Sequence, residues 1–182
     1  MTPQIFIFLI VSCLLVIVCR HQLLNPRCHG FYRFFAFLGI LALALLNIQF
    51  DGRDLFSPLR LLSGALMLSS LAVVIISLRQ LTQVGQKERQ DTPENFTFEN
   101  TLQLVTDGVY RYVRHPMYTS LLLLCWGLFF QQPSLLGAAI ALEVSLFLIC
   151  TILVEEKENR QFFGEEYQHY QQSNKMLIPF LL

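Results

Sequence analysis

The side chains able to do chemistry are gathered in one run, Leu104-Val105-Thr106-Asp107-Gly108-Val109-Tyr110-Arg111-Tyr112-Val113-Arg114-His115-Pro116-Met117-Tyr118. It holds two arginines, a histidine, an aspartate and three tyrosines between strongly apolar regions. From Pro116 to Leu142 no ionisable side chain occurs except Tyr118 and Cys125. A polar, partly cationic segment at the mouth of an apolar helix is a place where a charged small molecule can meet an apolar phase. A second polar cluster opens at Glu155-Glu156. If the two apolar stretches between the clusters, 116–131 and 134–154, form a helical hairpin, both of its ends lie on one side. Arg114, His115 and Tyr118 then face Glu155 and Glu156. Cations and carboxylates converging beside apolar helices suit a zwitterionic ligand with a carboxylate and an ammonium group.

The composition says what must hold these residues. The chain has 182 residues, 54% hydrophobic and only 14% charged, with a mean hydropathy of +0.50. Soluble domains carry about 25% charged residues, so this chain has too little charge to cover a soluble surface. Its apolar residues are also clustered, as in membrane spans. The net charge of zero gives no basic patch for nucleic acid. The cysteines, at 13, 19, 28, 125 and 150, form no CxxC pair. They read as small apolar residues, with no metal site and no disulfide framework. No two glycines are spaced as GxG, which excludes a dinucleotide-type nucleotide fold along with the hydropathy.

The predicted fold is all-α: a polytopic membrane protein of five transmembrane helices with a C-terminal helical hairpin and an interfacial amphipathic tail helix. The spans are 3–20, 34–50, 61–78, 116–131 and 134–154, each near the length needed for a hydrocarbon layer of about 30 Å. The first is not a signal peptide, since its first basic residue, Arg20, follows the apolar run. Arg20 to Arg33 reads as a short basic loop, Asp51 to Asp54 with Ser57-Pro58 as a tight turn, and 79–115 as a long polar loop. The pattern Asn95-Phe96-Thr97 matches a glycosylation site and is discounted on topology. After Glu155, Phe162, Phe163, Tyr167 and Tyr170 recur at helical spacings among charges, the pattern of a helix lying at the interface. Gly164 weakens that helix without having to end it. Alternate loops hold eleven of the thirteen Lys and Arg residues. The positive-inside rule then places loops 20–33 and 79–115 and the tail in the cytosol, and the N-terminus outside. The whole reads as a single membrane domain, with three N-terminal spans in 1–84 and the chemically active part in 85–182. The short chain and loops favour a prokaryotic inner membrane.

Gly108-Val109-Tyr110, then Arg114-His115-Pro116-Met117-Tyr118, then Glu155-Glu156, then Phe163-Gly164-Glu165-Glu166-Tyr167 and Tyr170 resemble the isoprenylcysteine carboxyl methyltransferase and phospholipid methyltransferase superfamily. The resemblance covers roughly residues 100–172 and rests on the order and spacing of several short motifs. It implies an integral-membrane enzyme that uses S-adenosyl-L-methionine. Residue by residue, it implies cofactor binding by Leu104, Val105, Tyr110, His115, Pro116, Met117, Tyr118 and Glu155, with Arg114 and Glu156 as the catalytic candidates and no metal. Arg114 or His115 would take the methionine carboxylate and Glu155 the amino group or ribose hydroxyls. Tyrosine faces would hold adenine. Glu156 would accept the proton if the nucleophile were an amine. The sulfonium is already activated, so the reaction needs alignment and desolvation more than acid–base groups.

Several positions depart from the isoprenylcysteine branch. Leu102 and Thr151 stand where it tends to have His and Arg, Thr119-Ser120 follow the Arg-His-Pro motif, and the closing Arg-x-x-Pro is altered. The expected partner is therefore a lipophilic, membrane-embedded small molecule, most similar to an isoprenylcysteine carboxylate. The alternatives are a phospholipid amine, a small thiol or, in another reaction class, an NADPH-dependent sterol-type reduction. Glu143, in the middle of the last span, reads equally as a contact in the substrate pocket or as an interhelical contact to Asn47, to Gln49 or across an oligomer.

Overall fold

The computed structural model describes residues 3–47, 56–84 and 103–177. The turn at 51–54, the Asn95 pattern, Leu102 and Gln49 lie outside them. The elements are α1 (Pro3–Val18), α2 (Arg20–Leu23), α3 (His29–Leu46), α4 (Pro58–Val84), a 3₁₀ turn (Gly108–Arg111), α5 (Pro116–Gln131), α6 (Leu135–Phe163) and α7 (Glu165–Ser173). Among the described residues there is no strand; a single parallel bridge pairs Val113 with Lys175. Three helices, His29–Leu46, Pro58–Gln83 and Leu135–Phe163, are long and apolar enough to cross a membrane, while α1 and α5 are apolar but shorter.

Two helix pairs carry most of the packing, α4 with α5 and α3 with α6. In α4, Ser63, Ser70 and Ser77 recur every seven residues and are all buried. The Ser63 and Ser70 hydroxyls donate to the carbonyls of Gly127 and Ser120 in α5, each at 2.7 Å. Small residues bring membrane helices close, and a hydroxyl that reaches the neighbouring backbone adds a directed bond. In α3, Gly39 lies so close to Val144 of α6 that a Cβ there would fall 2.3 Å from Val144 Cγ2. Phe35 stacks on Phe147 at 5.1 Å between ring centroids. Leu43, Cys125, Ala141, Val144, Leu148 and Ile152 form the centre of the core. No residue of α1 is buried. Its surface is apolar nearly all round, as for a helix facing lipid.

The ends of the elements differ from the sequence expectation in ways that matter for the site. α3 starts at His29 rather than at Phe34, because its first turn is capped from elsewhere: the His29 amide donates to Glu158 Oε1 at 3.1 Å and its Nδ1 lies 2.6 Å from Glu158 Oε2. Arg33 is therefore inside a helix and buried, not in a loop. α6 runs on past Val154 to Phe163, so Glu155 and Glu156 belong to the last turns of the long helix. Gly164, at φ +60°, does end it. α7 turns back and buries Tyr167 and Tyr170 against the 3₁₀ turn and α6. Glu143 is exposed on the outer face of α6 beside Leu142 and Leu146, while the Asn47 side chain donates to the carbonyls of Leu43 and Leu128.

Candidate functional site

The polar run is shaped first by Gly108. Its φ of +61° is open to glycine at little cost, and a Cβ there would fall 1.4 Å from the Gln80 side-chain nitrogen. Gln80, at the end of α4, accepts from the Val109 amide at 3.2 Å. This pins the turn that carries Tyr110. Beyond it the chain is strapped by the tail. The Arg114 amide donates to the Lys175 carbonyl at 2.7 Å and the His115 amide to Met176 at 3.1 Å. The Thr119 hydroxyl donates to the Leu177 carbonyl at 2.8 Å, and the Tyr170 hydroxyl to the Tyr110 carbonyl at 2.6 Å. His115 then sits as the cap of α5, with Pro116 in its first turn, where a missing amide proton leaves no bond unmade.

The carboxylates of α6 meet this segment. Arg114 donates from Nε to Glu156 Oε1 at 2.8 Å, and its Nη2 lies 2.6 Å from the same oxygen. Its Nη1 donates to the carbonyls of Gln171 and Asn174. The second oxygen of Glu156 accepts from Gln171 at 3.0 Å. His115, 5% exposed, lies between the two acids, with Nδ1 3.6 Å from Glu155 and Nε2 3.4 Å from Glu156. The Tyr118 hydroxyl donates to Glu155.

The apolar stretch of α6 ends at Val154, so these acids lie beyond it. Burial alone would lower the His115 pKa, but hydrogen bonds and charge from Glu155 and Glu156 outweigh it and raise it. Burial alone would raise the Glu155 carboxyl, but His115, the charge of His29 and the Tyr118 hydroxyl hold it below the usual carboxylate range. The same opposition, with His115 and Arg114 prevailing over burial, lowers Glu156. Burial pushes the Tyr167 and Tyr170 phenols up. They stay protonated and act as apolar walls with hydrogen-bonding tips.

A cavity of about 310 Å³ opens beside this cluster. All eight residues expected to bind a cofactor line it: Leu104, Val105, Tyr110, His115, Pro116, Met117, Tyr118 and Glu155. Arg114 lines it too, with most of its donors already used. Glu156 is not among the lining residues; it stands behind Arg114 and His115. The sequence reading missed other walls. Asn159 and Phe163 follow Glu155 at intervals of four on the same face of α6. That spacing was legible once α6 was read as continuing past Val154. Arg33 and Phe37 line the cavity from α3, and Val74 and Leu81 from α4. Nothing local in the sequence marked them, because their approach depends on how α3 and α4 pack.

Known proteins place this architecture. The family model described as phospholipid methyltransferase matches residues 59–166. A methanethiol S-methyltransferase of Crocosphaera subtropica is 29% identical over 71% of the chain and 48% of its own length. A probable protein-S-isoprenylcysteine O-methyltransferase of Oryza sativa subsp. indica is 36% identical over 46% of the chain and 44% of its own length. A 3-oxo-5-alpha-steroid 4-dehydrogenase 1 of Rattus norvegicus is 31% identical over 46% of the chain and 31% of its own length. The chain spans about half or less of the length of these relatives. No solved structure matches it significantly. With the match covering more than half of its residues, among them Gly108, the Arg114 to Tyr118 motif and the acidic pair of α6, the chain belongs to the phospholipid methyltransferase family.

Proposed function

We propose that the protein is an integral-membrane methyltransferase that binds S-adenosyl-L-methionine in the 310 Å³ cavity and methylates a lipophilic acceptor reaching it from the bilayer. The observation that carries this reading is the convergence of the eight expected cofactor residues, from two regions about 40 positions apart, on one cavity. The volume is at the lower end of the range for small-molecule sites, about 300–1,000 Å³. The donor set suits the ligand: the Glu155 carboxylate for an ammonium or ribose hydroxyls, and Tyr110, Tyr118, Phe163 and Tyr170 as flat apolar surfaces for a purine. When bound, the cofactor supplies a methyl group on a sulfonium, whose transfer to a carboxylate or thiolate breaks one S–C bond, makes one O–C or S–C bond and leaves two neutral products.

The chain's own residues orient and exclude water. His115 and Tyr118 hold Glu155 in place and ionised. Arg114 and Glu156 act on this reading as a brace. Glu156 has both oxygens engaged and does not reach the cavity, so it positions Arg114 and His115. The topology that goes with it has five spans in a single domain, with the N-terminus outside and the site at the cytosolic end of the hairpin. The support is the bias of eleven to two in basic residues between alternate loops. A prokaryotic inner membrane is the setting proposed.

Similarity to a steroid dehydrogenase gives the reductase reading one observation of its own. Thermal unfolding of the purified protein in detergent separates the two. S-adenosylhomocysteine should stabilise the wild type, and His115→Ala and Glu155→Ala should abolish the effect. Stabilisation by NADPH and not by S-adenosylhomocysteine would overturn the methyltransferase reading.

A further inference from the structure

Asn159 lines the cavity from α6, one turn beyond Glu155 and one turn before Phe163. At 1.5 Å per residue, positions 155, 159 and 163 stand about 6 Å apart along one face of the helix. The Tyr167 ring of α7 packs on this face. It stacks on Phe163 with ring centroids 6.5 Å apart and an interplanar angle of 24°, and it meets Tyr170 at 6.0 Å. Its hydroxyl lies beside Asn159 without a hydrogen bond of normal geometry. Phe163, Tyr167 and Tyr170 all line the same cavity. Along α6, the Asn159 amide thus stands between a carboxylate and a connected group of three rings. Its polar neighbours in the lining are engaged within the protein. Glu155 accepts from Tyr118 and lies 3.6 Å from His115 Nδ1, and the Tyr170 hydroxyl donates to the Tyr110 carbonyl at 2.6 Å. An amide offers two donor hydrogens and two acceptor lone pairs, of which the Tyr167 hydroxyl could take only one.

We propose that Asn159 recognises the base of the methyl donor: its amide oxygen accepts from the 6-amino group of an adenine held against the rings of Phe163, Tyr167 and Tyr170. This rests on the methyltransferase reading above and deepens it by assigning a residue to the base. Three arguments converge. The faces of a purine stack on aromatic rings, but its edge is polar and needs a partner once it leaves water. An asparagine presents an acceptor and a donor side by side, the pattern that matches the amino group and the neighbouring ring nitrogen of adenine. Finally, the amide is neutral and suits an uncharged base, whereas an ammonium end of the donor calls for an ionised partner such as Glu155, one turn away.

Calorimetry on the full chain in detergent compares S-adenosylhomocysteine with two analogues, one whose purine lacks the 6-amino group and one whose ribose lacks the 2′-hydroxyl. The proteins are wild type, Asn159→Leu, which keeps the volume without the amide, and Asn159→Asp, which keeps the acceptor. Asn159→Ala takes the place of Asn159→Leu if the latter does not fold. The wild type should bind the analogue without the amino group about 5- to 50-fold more weakly, the effect of one buried hydrogen bond left unmade. Asn159→Leu should bind S-adenosylhomocysteine more weakly by a similar factor and should no longer distinguish the two bases, while its penalty for the missing 2′-hydroxyl stays as in wild type. Asn159→Asp should keep the preference for the 6-amino base. A side chain that only supports the fold would weaken all three ligands alike. A wild type indifferent to the 6-amino group, or an Asn159→Leu that still prefers it by the wild-type factor, would overturn the proposal. Loss of the 2′-hydroxyl penalty in its place would also overturn it and assign Asn159 to the ribose. A wild type that binds none of the three ligands would instead defeat the methyltransferase reading beneath it.

Discussion

Glu156 offers the sharpest separation between a chemical and a structural role. Its side chain is 9% exposed and that of Arg114 12%. Arg114 bonds one of its oxygens through Nε and approaches it through Nη2, and Gln171 bonds the other. Through Arg114 the pair also holds the carbonyls of Gln171 and Asn174, and so the tail segment whose Lys175 and Met176 carbonyls anchor Arg114 and His115. Glu156→Ala would leave a buried guanidinium without its counter-ion, a loss of about 3–5 kcal/mol when a buried pair is broken from one side. Glu156→Gln keeps the shape and removes the charge. Bonds to charged groups contribute about 1.5–3 kcal/mol and neutral ones about 0.5–1.5, so weakening the two Arg114 contacts should amount to roughly 2–3 kcal/mol.

Unfolding in mixed micelles, run beside S-adenosylhomocysteine binding and turnover, reads both roles. A brace predicts that Glu156→Gln loses stability by that amount, and that binding falls because Arg114 and His115 lose their backing. It also predicts that Arg114→Met/Glu156→Leu is more stable than Glu156→Ala, since an apolar pair strands no charge. Stability within about 0.5 kcal/mol of wild type, combined with a loss of turnover at saturating ligand, would refute the brace and return Glu156 to the role of base.

Further expectations concern the same supports. Gly108→Ala should destabilise by at least about 1–2 kcal/mol from the left-handed backbone alone, and adding Gln80→Ala should relieve the clash of the new Cβ, 1.4 Å from the Gln80 nitrogen, but not the φ of +61°; chemical unfolding of the single and double variants beside wild type checks it. Gly39→Ala should loosen α3 against α6, and Val144→Ala, which removes the methyl 2.3 Å from the new Cβ, should rescue it, so that the double variant is more stable than the sum of the singles. His115 has its folded pKa raised, so its stabilising contribution is complete below the unfolded value of about 6.5 and is lost as pH rises through the folded value. Melts taken upward from pH 6 should decline for this reason in the wild type and lose that component in His115→Gln.

How much of this was legible follows from the range of the forces involved. Hydropathy marked every apolar helix, because membrane insertion is read from local composition. It placed the start of α3 five residues late and stopped α6 at Val154, because it treats charge as the end of a helix. Arg33 and Glu155 show why that fails. A charged side chain turned inward to a cavity is held by partners from other helices, and those partners lie far away in sequence: Glu158 capping His29, Gln80 pinning Gly108 and the 170–176 tail strapping Arg114. The lining of the cavity by residues 104–118 and Glu155 could be anticipated, since the hairpin needs only one short turn to bring them together. The walls from α3 and α4 could not, since they depend on the Ser63 and Ser70 contacts and on the Gly39 approach. The consequence bears on the acceptor. The lining residues that were legible are those that match the family motifs, while the walls contributed by α3 and α4, Arg33, Phe37, Val74 and Leu81, are set by packing. Differences in acceptor between relatives, a thiol in one and an isoprenylcysteine in another by name, are therefore to be sought on α3 and α4 before the Arg114 to Tyr118 motif.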